Sequence, residues 1–175
     1  MEFNGTTYLV IVDYLSRYLD VVPLTATTSI AVIKHLHRIC AEHGFPSTLV
    51  TDNGPQFASE FCTANDITHR TSSPRYPQSN GEAERAVRTA KNLLRKAESL
   101  QDALLAYRTT PLSNGYVPCQ LLYGRQLRTG LPATTEQLEP KWPDLPSILE
   151  SETQSQEQQK FHYDQRHAAK PLVTL

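Results

Sequence analysis

Two carboxylates stand at positions where acid or metal chemistry is expected, and Asp52 is the first. It follows a short apolar run, residues 47–51 (STLVT), and opens the turn-forming quartet DNGP. The carboxyl ends of strands are where α/β folds place functional side chains, so Asp52 is a candidate metal ligand. An Asx-turn over Asn53 and Gly54 explains the same aspartate without any function, and this stretch alone does not decide between the two.

Glu84, the second candidate, lies on a helix predicted over residues 82–97. A charged stripe runs along one flank of this helix at spacings i, i+4, i+7 and i+11, so that one carboxylate and three cations lie together. A solvated helix face gives the same pattern, and that interpretation stays open here. The charged stripe consists of Glu84, Arg88, Lys91 and Arg95, and the apolar stripe beside it of Ala83, Ala86, Val87, Ala90, Leu94 and Ala97.

Glu82 competes with Glu84 for any acidic role, but the sequence offers it a structural one. Ser79-x-x-Glu82 has the spacing of a capping box, in which the glutamate side chain reaches back to the N-cap backbone N–H. We therefore expect Glu82 to stabilise the helix start and Glu84 to be the functional carboxylate.

Phosphate is the ligand that the surrounding residues favour. The whole chain has a net charge of −1, but seven basic residues stand between Arg70 and Lys96 against two acidic ones. The stretch 72–81 (SSPRYPQSNG) is predicted to be a loop rich in hydrogen-bond donors, and it leads directly into the helix. Such donors and helix N-termini are what phosphate contacts use, so we expect a polyanionic partner on this face.

The elements that must hold these residues alternate between strand and helix. An Asn4-Gly5 hairpin turn precedes a strand over 6–12, and the order of the later elements predicts a compact α/β domain at residues 1–110 with an extended and helical peripheral segment at 111–175. The later predictions are a strand at 18–22, a helix within 25–46 with Ile30, Ile33, Leu36, Ile39 and Cys40 inward, an amphipathic piece at 57–64, a strand at 67–71, a second helix through LQDALLAYR and a short helix in VPCQLLYG.

Composition narrows the remaining possibilities. Three widely spaced cysteines, Cys40, Cys62 and Cys119, form no C-x-x-C pair and are predicted to be buried free thiols. No run approaches the length of a membrane span, so no membrane partner is expected. The cluster HLHRICAEH could suggest zinc, but Cys40 belongs to the apolar stripe and His35 and His37 fall on different faces.

Three segments together carry a resemblance to a known family. TTYLVIVDYLSRYLDVVPL, HGFPSTLVTDNGPQF and ITHRTSSPRYPQSNGEAERAVRTAKNLLRK strongly resemble the integrase catalytic core of gypsy-type retrotransposons and retroviruses, the DDE enzymes. The later LLAYRTTPLSNGYVPCQLLYGRQLRT resembles the stretch that follows this core in gypsy-type polyproteins. The resemblance implies a ribonuclease-H-like fold, a mixed sheet flanked by helices, and DNA integration by metal-dependent strand transfer.

The resemblance also implies roles for particular residues. Asp52 and Glu84 match the family's second aspartate and its glutamate, which hold Mg²⁺ or Mn²⁺ together with a first aspartate. Arg88, Lys91 and Arg95 fall where the family has basic DNA-contacting residues. The remaining nucleic-acid contacts implied are Asn53, Gln78, Ser79 and Asn80.

Two departures from the family pattern bear on activity. The family's first aspartate lies on the strand ahead of the opening hairpin, and counting back from Gly5 places it before Met1, so we expect an N-terminally truncated core with impaired catalysis. The family usually leaves 35 residues between the second aspartate and the glutamate, whereas 31 stand here. The alternative is a domesticated, non-enzymatic DNA- or protein-binding module that keeps only the fold.

Partners and location follow from the resemblance alone. It implies DNA as the partner, self-association as a homo-oligomer, no zinc because the family's zinc-binding domain has no counterpart here, and a nuclear location. The sequence itself shows no targeting signal, and without the resemblance a cytoplasmic location would be expected.

Overall fold

The computed structural model describes residues 1–51, 56–71, 81–150, 153–154 and 157–158. The chain forms two compact units, Met1–Arg108 and Thr109–Leu175. The strands are β1 Glu2–Phe3, β2 Thr6–Val12, β3 Leu19–Leu24, β4 Thr48–Thr51 and β5 Thr68–Thr71. The helices are α1 Ser29–His43, α2 Gln56–Ala64, α3 Gly81–Lys96, α4 Leu100–Arg108, α5 Pro118–Tyr123 and α6 Thr135–Leu138.

The opening hairpin forms as predicted. Asn4 and Gly5 both have positive φ, 47° and 74°, as a type I′ turn requires. Strands β1 and β2 pair antiparallel across this turn, with Phe3 opposite Thr6. The N–H of Tyr8 donates to the Met1 carbonyl oxygen at 2.7 Å, which adds one more rung to the short arm.

Strand β3 pairs with the other edge of β2 and runs further than the predicted 18–22. The register places Pro23 opposite Tyr8. Proline has no N–H to donate, but the N–H of Tyr8 bonds to Met1 on the β1 side, so no ladder bond is lost and the strand continues to Leu24.

Helix α1 starts and ends with the expected caps and buries the predicted face, with Leu36, Ile39 and Cys40 inward, except at Ile30. The Thr28 hydroxyl accepts from the Ala31 N–H, and Gly44 takes a φ of 86° at the C-cap. Val32 is buried, whereas Ile30 is 81% exposed, so the inward prediction for Ile30 was wrong. At about 100° per residue Ile30 lies about 160° from Val32, on the opposite side of the helix.

Strands β4 and β5 form a separate parallel pair, and α2 lies between them in sequence. The amphipathic pattern predicted for α2 is confirmed, because Phe61 and Cys62 are both buried. The helix is followed by Asp66 with φ 54°, after which β5 begins. Phe61 and Cys62 belong to core cluster 1. Its buried side chains are Val32, Leu36, Cys40, Phe61, Cys62 and Ile67.

Core cluster 2 lies beneath α3 and α4. Its buried members are Leu19, Val21, Ala86, Ala90 and Leu104. Strand β2 serves both clusters, because Leu9 and Ile11 pack against cluster 1 and alternate residues pack against cluster 2. This alternation makes β2 the strand that joins the two cores.

The second unit has a small core of its own around α5. Cys119 and Leu121 are buried there, and Trp142 packs its ring against Gly124, where a Cβ would stand 2.6 Å from the nearest ring atom. Within the segment predicted as extended and helical at 111–175, α6 begins with a Thr134–Gln137 capping box. No helix in the described part of the chain is long and apolar enough to cross a membrane.

The cysteine prediction is confirmed. Cys40, Cys62 and Cys119 are all buried, and none of them forms a disulfide. Burial raises the pKa of the Cys40 thiol, with Cys62 nearby adding to the effect, and burial likewise raises the pKa of the Cys62 thiol.

Candidate functional site

The candidate site is built on α3, which is fixed to the sheet along a face of small residues. Ala90 is completely buried and Ala86 is nearly so. Alanine has no side chain beyond Cβ, so the helix axis can approach β2 closely, and Val10 and Val12 pack against the same cluster. Leu93 completes the inward face, in place of the predicted Leu94.

The opposite flank of α3 presents the predicted charged stripe to solvent. Glu84, Arg88 and Arg95 are exposed, and Lys91 is half-buried. Within the described residues, neither Glu84, Arg88 nor Lys91 forms a hydrogen bond or ion pair. Arg95 makes one long contact, donating to Asn92 Oδ1 at 3.4 Å. Few hydrogen bonds or ion pairs to the described residues would therefore have to break before these charged groups contact a ligand.

Glu82, two residues before Glu84, is held between two guanidinium groups. Its Oε2 lies 2.8 Å from Arg17 Nη1 and its Oε1 lies 2.6 Å from Arg85 Nη1. Both oxygens are engaged, which agrees with a structural role for Glu82. That role comes from ion pairs that the sequence did not predict, and Ser79, the other half of the predicted capping box, lies outside the described residues.

Arg17 is the residue through which the first turn of α3 reaches the β2–β3 connection. Its backbone takes a φ of 59°, in a turn where Asp13 Oδ2 accepts from both the N–H and the hydroxyl of Ser16. The Tyr107 hydroxyl donates to the Arg17 carbonyl oxygen at 3.0 Å. The guanidinium that holds Glu82 thus belongs to a residue whose own backbone is held from two directions.

The pKa values of two tyrosines are affected by the Arg17–Glu82 pair. Burial raises the pKa of Tyr107, while the nearby Arg17 lowers it and Glu82 raises it. The pKa of Tyr14 is also raised, by burial first and then by Glu82. The Arg17–Glu82 pair therefore sits in a partly dehydrated region, where a charge pair interacts more strongly than in bulk water.

A second polar network fixes α4 and α1 to β3. Arg108 donates to the Leu19 carbonyl oxygen at 2.9 Å and to Asp20 Oδ1 at 2.5 Å, and its guanidinium lies 4.4 Å from the centre of the Tyr18 ring. His43 Nε2 lies 3.3 Å from the other oxygen of Asp20. The sequence did not predict that Arg17 and Arg108 position the elements around α3. Their carboxylate partners lie 65 and 88 residues away, and no local spacing signals such pairs.

The structure brings together only one part of the predicted site. Glu84 and the three cations share one flank of α3, as expected. The other predicted residues lie outside the described part of the chain, and no group of three potential metal ligands occurs among the residues that are described. The residues outside it are Asp52, Asn53, Gln78, Ser79 and Asn80.

The chain matches known proteins over most of its length. Residues 3–77 match the family model of the integrase core domain. The chain is 35% identical to Uncharacterized protein K02A2.6 of Caenorhabditis elegans over 95% of its length, and 35% identical to the Gag-Pol polyprotein of avian reticuloendotheliosis virus over 69%. It spans only 14% and 12% of the lengths of these two curated relatives.

A solved structure gives the same assignment. The HTLV-2 integrase catalytic core domain in complex with magnesium, in its dimeric form, matches with 26% sequence identity and a TM-score of 0.54. The match covers 69% of this chain and 88% of that one. The chain therefore belongs to the integrase catalytic-core family, of retroviral and retrotransposon origin, in the ribonuclease-H-like superfamily.

Proposed function

We propose that this chain is an integrase core segment that contacts DNA phosphates through the outer flank of α3. The observation that carries the proposal is that the charged groups on that flank, Arg88 and Lys91 above all, have no side-chain partner among the described residues. The opposite face of the helix is packed against β2. A fixed helix with free cations can neutralise phosphates without first breaking internal ion pairs. The further contacts proposed are Arg95, Asn53, Gln78, Ser79 and Asn80.

We further propose that Asp52 and Glu84 hold a divalent metal ion. The chemistry of the donor set supports this, because Mg²⁺ prefers carboxylate oxygens and the Glu84 carboxylate has no protein partner among the described residues. Glu82, by contrast, has both oxygens occupied by arginines. Bound Mg²⁺ or Mn²⁺ would supply charge stabilisation at a phosphodiester undergoing attack. Glu84 would hold the ion from the first turn of α3, and Asp52 from the stretch after β4.

DNA binding is tested by its dependence on salt. Each phosphate contact that is lost lowers the slope of log K against log[salt] by about one, so Arg88→Glu with Lys91→Glu should lower it by about two. Lys34→Glu with Arg38→Glu is the matched control, because it makes the same change in net charge at two exposed positions of another helix, α1. An unchanged slope in the α3 variant, or an equal fall in the control, would contradict phosphate contact by α3.

The metal site is tested separately from DNA binding. Mn²⁺ binding to the purified chain, followed by the paramagnetic relaxation of water protons, should weaken at least about tenfold in Glu84→Gln. Glu82→Gln is the control variant, since its carboxylate is taken up by Arg17 and Arg85, and it should bind Mn²⁺ as the wild type does. Equal affinities in all three proteins would remove Glu84 from the site.

Residual catalysis decides between the two functions that the sequence allows. Labelled DNA ends are incubated with the chain and Mg²⁺ or Mn²⁺, and 3′-processing and disintegration products are measured. The expectation of impaired catalysis stays a prediction, and activity abolished by Asp52→Asn would overturn it. DNA binding with the α3 salt dependence, but without any such activity, would instead favour the non-enzymatic binding module.

Self-association and a nuclear location stay predictions. The HTLV-2 core is described in a dimeric form, and we propose that this chain also self-associates. Sedimentation across a hundredfold range of protein concentration, roughly what a dimer of micromolar affinity requires, should show a change in mass. A constant monomer mass would contradict the proposal.

A further inference from the structure

The chain's one tryptophan lies on the surface of the second unit. Trp142 is 66% exposed, although tryptophan is buried over most of its area in the average folded protein. Its side chain forms no hydrogen bond or ring contact with the described residues. The way its two ring faces are packed indicates what such a ring can bind.

One face of the indole ring lies against Gly124. A Cβ at that glycine would stand 2.6 Å from Cε2 and 2.7 Å from Cδ2 of Trp142. These two atoms are shared by both rings and each is bonded to three ring atoms, so another atom can approach them only from above or below the ring plane. Gly124 therefore covers one face, and the high exposure of the residue places the opposite face in solvent.

The backbone on both sides of the tryptophan holds the ring in this position. The Lys141 N–H donates to the Gly124 carbonyl oxygen at 2.6 Å, and Gly124 takes a φ of 70° at the C-cap of α5. Pro143 directly after the tryptophan is buried, and a following proline disfavours helical backbone at Trp142. Because the ring is already held in place, little conformational entropy is lost when a ligand stacks on it.

Two cations border the contact between the ring and the glycine. Arg125 follows Gly124, Lys141 precedes Trp142, and both side chains are exposed. Within the ranges that the structure describes, neither side chain forms a hydrogen bond or ion pair. Asp144 is also exposed, but it stands two residues beyond the ring. The two adjacent cations disfavour a cationic ligand on the open face and favour one that carries anionic groups beside it.

We propose that the open face of Trp142 stacks on an unpaired base of a DNA strand, with Arg125 and Lys141 at the neighbouring phosphates. Bases inside a duplex already stack on each other, so only an unpaired base has a free face. Each phosphate of a strand lies one sugar away from a base, and cations beside a stacking ring are placed to contact it. The ligand, DNA, rests on the proposed function, but this site is in the second unit whereas α3 is in the first.

Because the chain has a single tryptophan, its fluorescence emission measures this site alone. Oligothymidine of about ten nucleotides, a length that one single-strand-binding domain can cover, is titrated into the full chain. We expect saturable quenching of the Trp142 emission, because a stacked base contacts the excited ring. The matched probe is the same oligonucleotide with every base removed, which keeps the phosphates. In competition with oligothymidine it should bind at least about fivefold more weakly, the smallest factor expected for one stacked base.

Three variants separate stacking from charge, with binding followed by the fluorescence anisotropy of labelled oligothymidine. Trp142→Leu removes the ring but keeps an apolar side chain, and we expect binding at least about fivefold weaker. Arg125→Gln with Lys141→Gln keeps the ring and should lower the salt slope by about 1.4, because each phosphate contact on a single strand contributes about 0.7. Asp144→Asn is the control, and it should bind at least as tightly as the wild type because it removes a negative charge.

Several outcomes would overturn the proposal. These are unquenched emission, equal affinity for the abasic oligonucleotide, or unchanged affinity in Trp142→Leu. A proline peptide of about ten residues that binds as tightly as oligothymidine would mean that the ring recognises extended peptides, contrary to the proposal. Emission that changes with protein concentration in the absence of DNA would mean that a second copy covers the ring, which also contradicts it. If Trp142→Leu does not fold, the two oligonucleotides compared on the wild type decide the question.

Failure of this site and failure of the α3 contacts are distinguishable. Quenching of Trp142 by oligothymidine, together with an unchanged salt slope for duplex DNA in Arg88→Glu with Lys91→Glu, would support the stacking site and contradict the α3 contacts. The expected fall in that slope without any quenching would support the α3 contacts and overturn the stacking site.

Discussion

Two glutamates on the first turn of α3, Glu82 and Glu84, differ in their exposure and in their ion-pair partners. Glu82 has both carboxylate oxygens within 2.8 Å of arginines, and its side chain is 23% exposed. Glu84 is exposed and has no partner among the described residues. Only two positions along the helix separate them, so a rotation of about 200° places one against the β2–β3 connection and the other in solvent.

The same division holds along the whole helix. The inward face carries Ala86 and Ala90, which allow close packing, and the outer flank carries cations that contact little. Glu82, which stabilises the fold, is paired, whereas Glu84, Arg88 and Lys91 on the outer flank have no ion-pair partner within the ranges that the structure describes. The contrast therefore predicts that stability and ligand binding are affected by different residues of α3, and four predictions on α3 and the residues that contact it test this.

The largest expected effect is on the inward face. Ala90 is completely buried, so Ala90→Leu places three additional carbon atoms in a packed interior. We expect the free energy of unfolding to fall by about 1–3 kcal/mol. Asn92→Leu adds a leucine at an exposed position of the same helix and should change stability by less than about 0.5 kcal/mol. Urea unfolding of the two variants measures the difference. Equal stabilities would mean that α3 does not pack on β2 as described.

The Arg17–Glu82 pair comes next. Arg17→Met removes the guanidinium but keeps an unbranched apolar stem, and we expect a loss of about 1–2 kcal/mol, because the pair is partly dehydrated. A double-mutant cycle with Glu82→Gln isolates the coupling between the two side chains. Arg88→Met, which removes an exposed cation that has no partner in the described part of the chain, is the control. A coupling energy near zero would show that the ion pair does not stabilise the β2–β3 connection, and that Tyr107 and the Asp13 turn are sufficient to position it.

Sequence reasoning found the local features of this comparison and missed the distant ones. The hairpin at Asn4-Gly5, the caps of α1 and the charged flank of α3 depend on residues a few positions apart, and the spacing signals them directly. Arg17 is 65 residues from Glu82, so only the folded chain brings the two together. Ile30 differs from both, because its side chain is apolar and burial was predicted. The rotation of α1 about its axis, set by its packing on core cluster 1, places Ile30 in solvent.

Alkaline pH should act on the residues around the Arg17–Glu82 pair through Tyr107. Burial raises the pKa of Tyr107 above its ordinary value of 10.0, so the folded protein keeps a proton that the unfolded chain releases near that pH. This contribution to stability is complete below pH 10 and is lost as pH rises through the folded pKa. Tyr107→Phe should therefore lose less stability between pH 8 and pH 10.5 than the wild type, as measured by urea unfolding. Parallel losses would exclude Tyr107 as a source of the alkaline destabilisation.

The smallest effect on stability is expected at Glu84, and it completes the comparison with Glu82. Glu84→Gln removes a negative charge from the first turn of a helix, where it interacts favourably with the helix dipole, so we expect a loss of only about 0.3–0.5 kcal/mol. Glu82→Gln should cost several times more, because it weakens two ion pairs and leaves Arg17 partly dehydrated beside a neutral amide. The order should reverse for Mn²⁺ binding, where Glu84→Gln is the damaging change. If one substitution dominated both measurements, the division of α3 into a supporting face and a ligand-binding flank would be wrong.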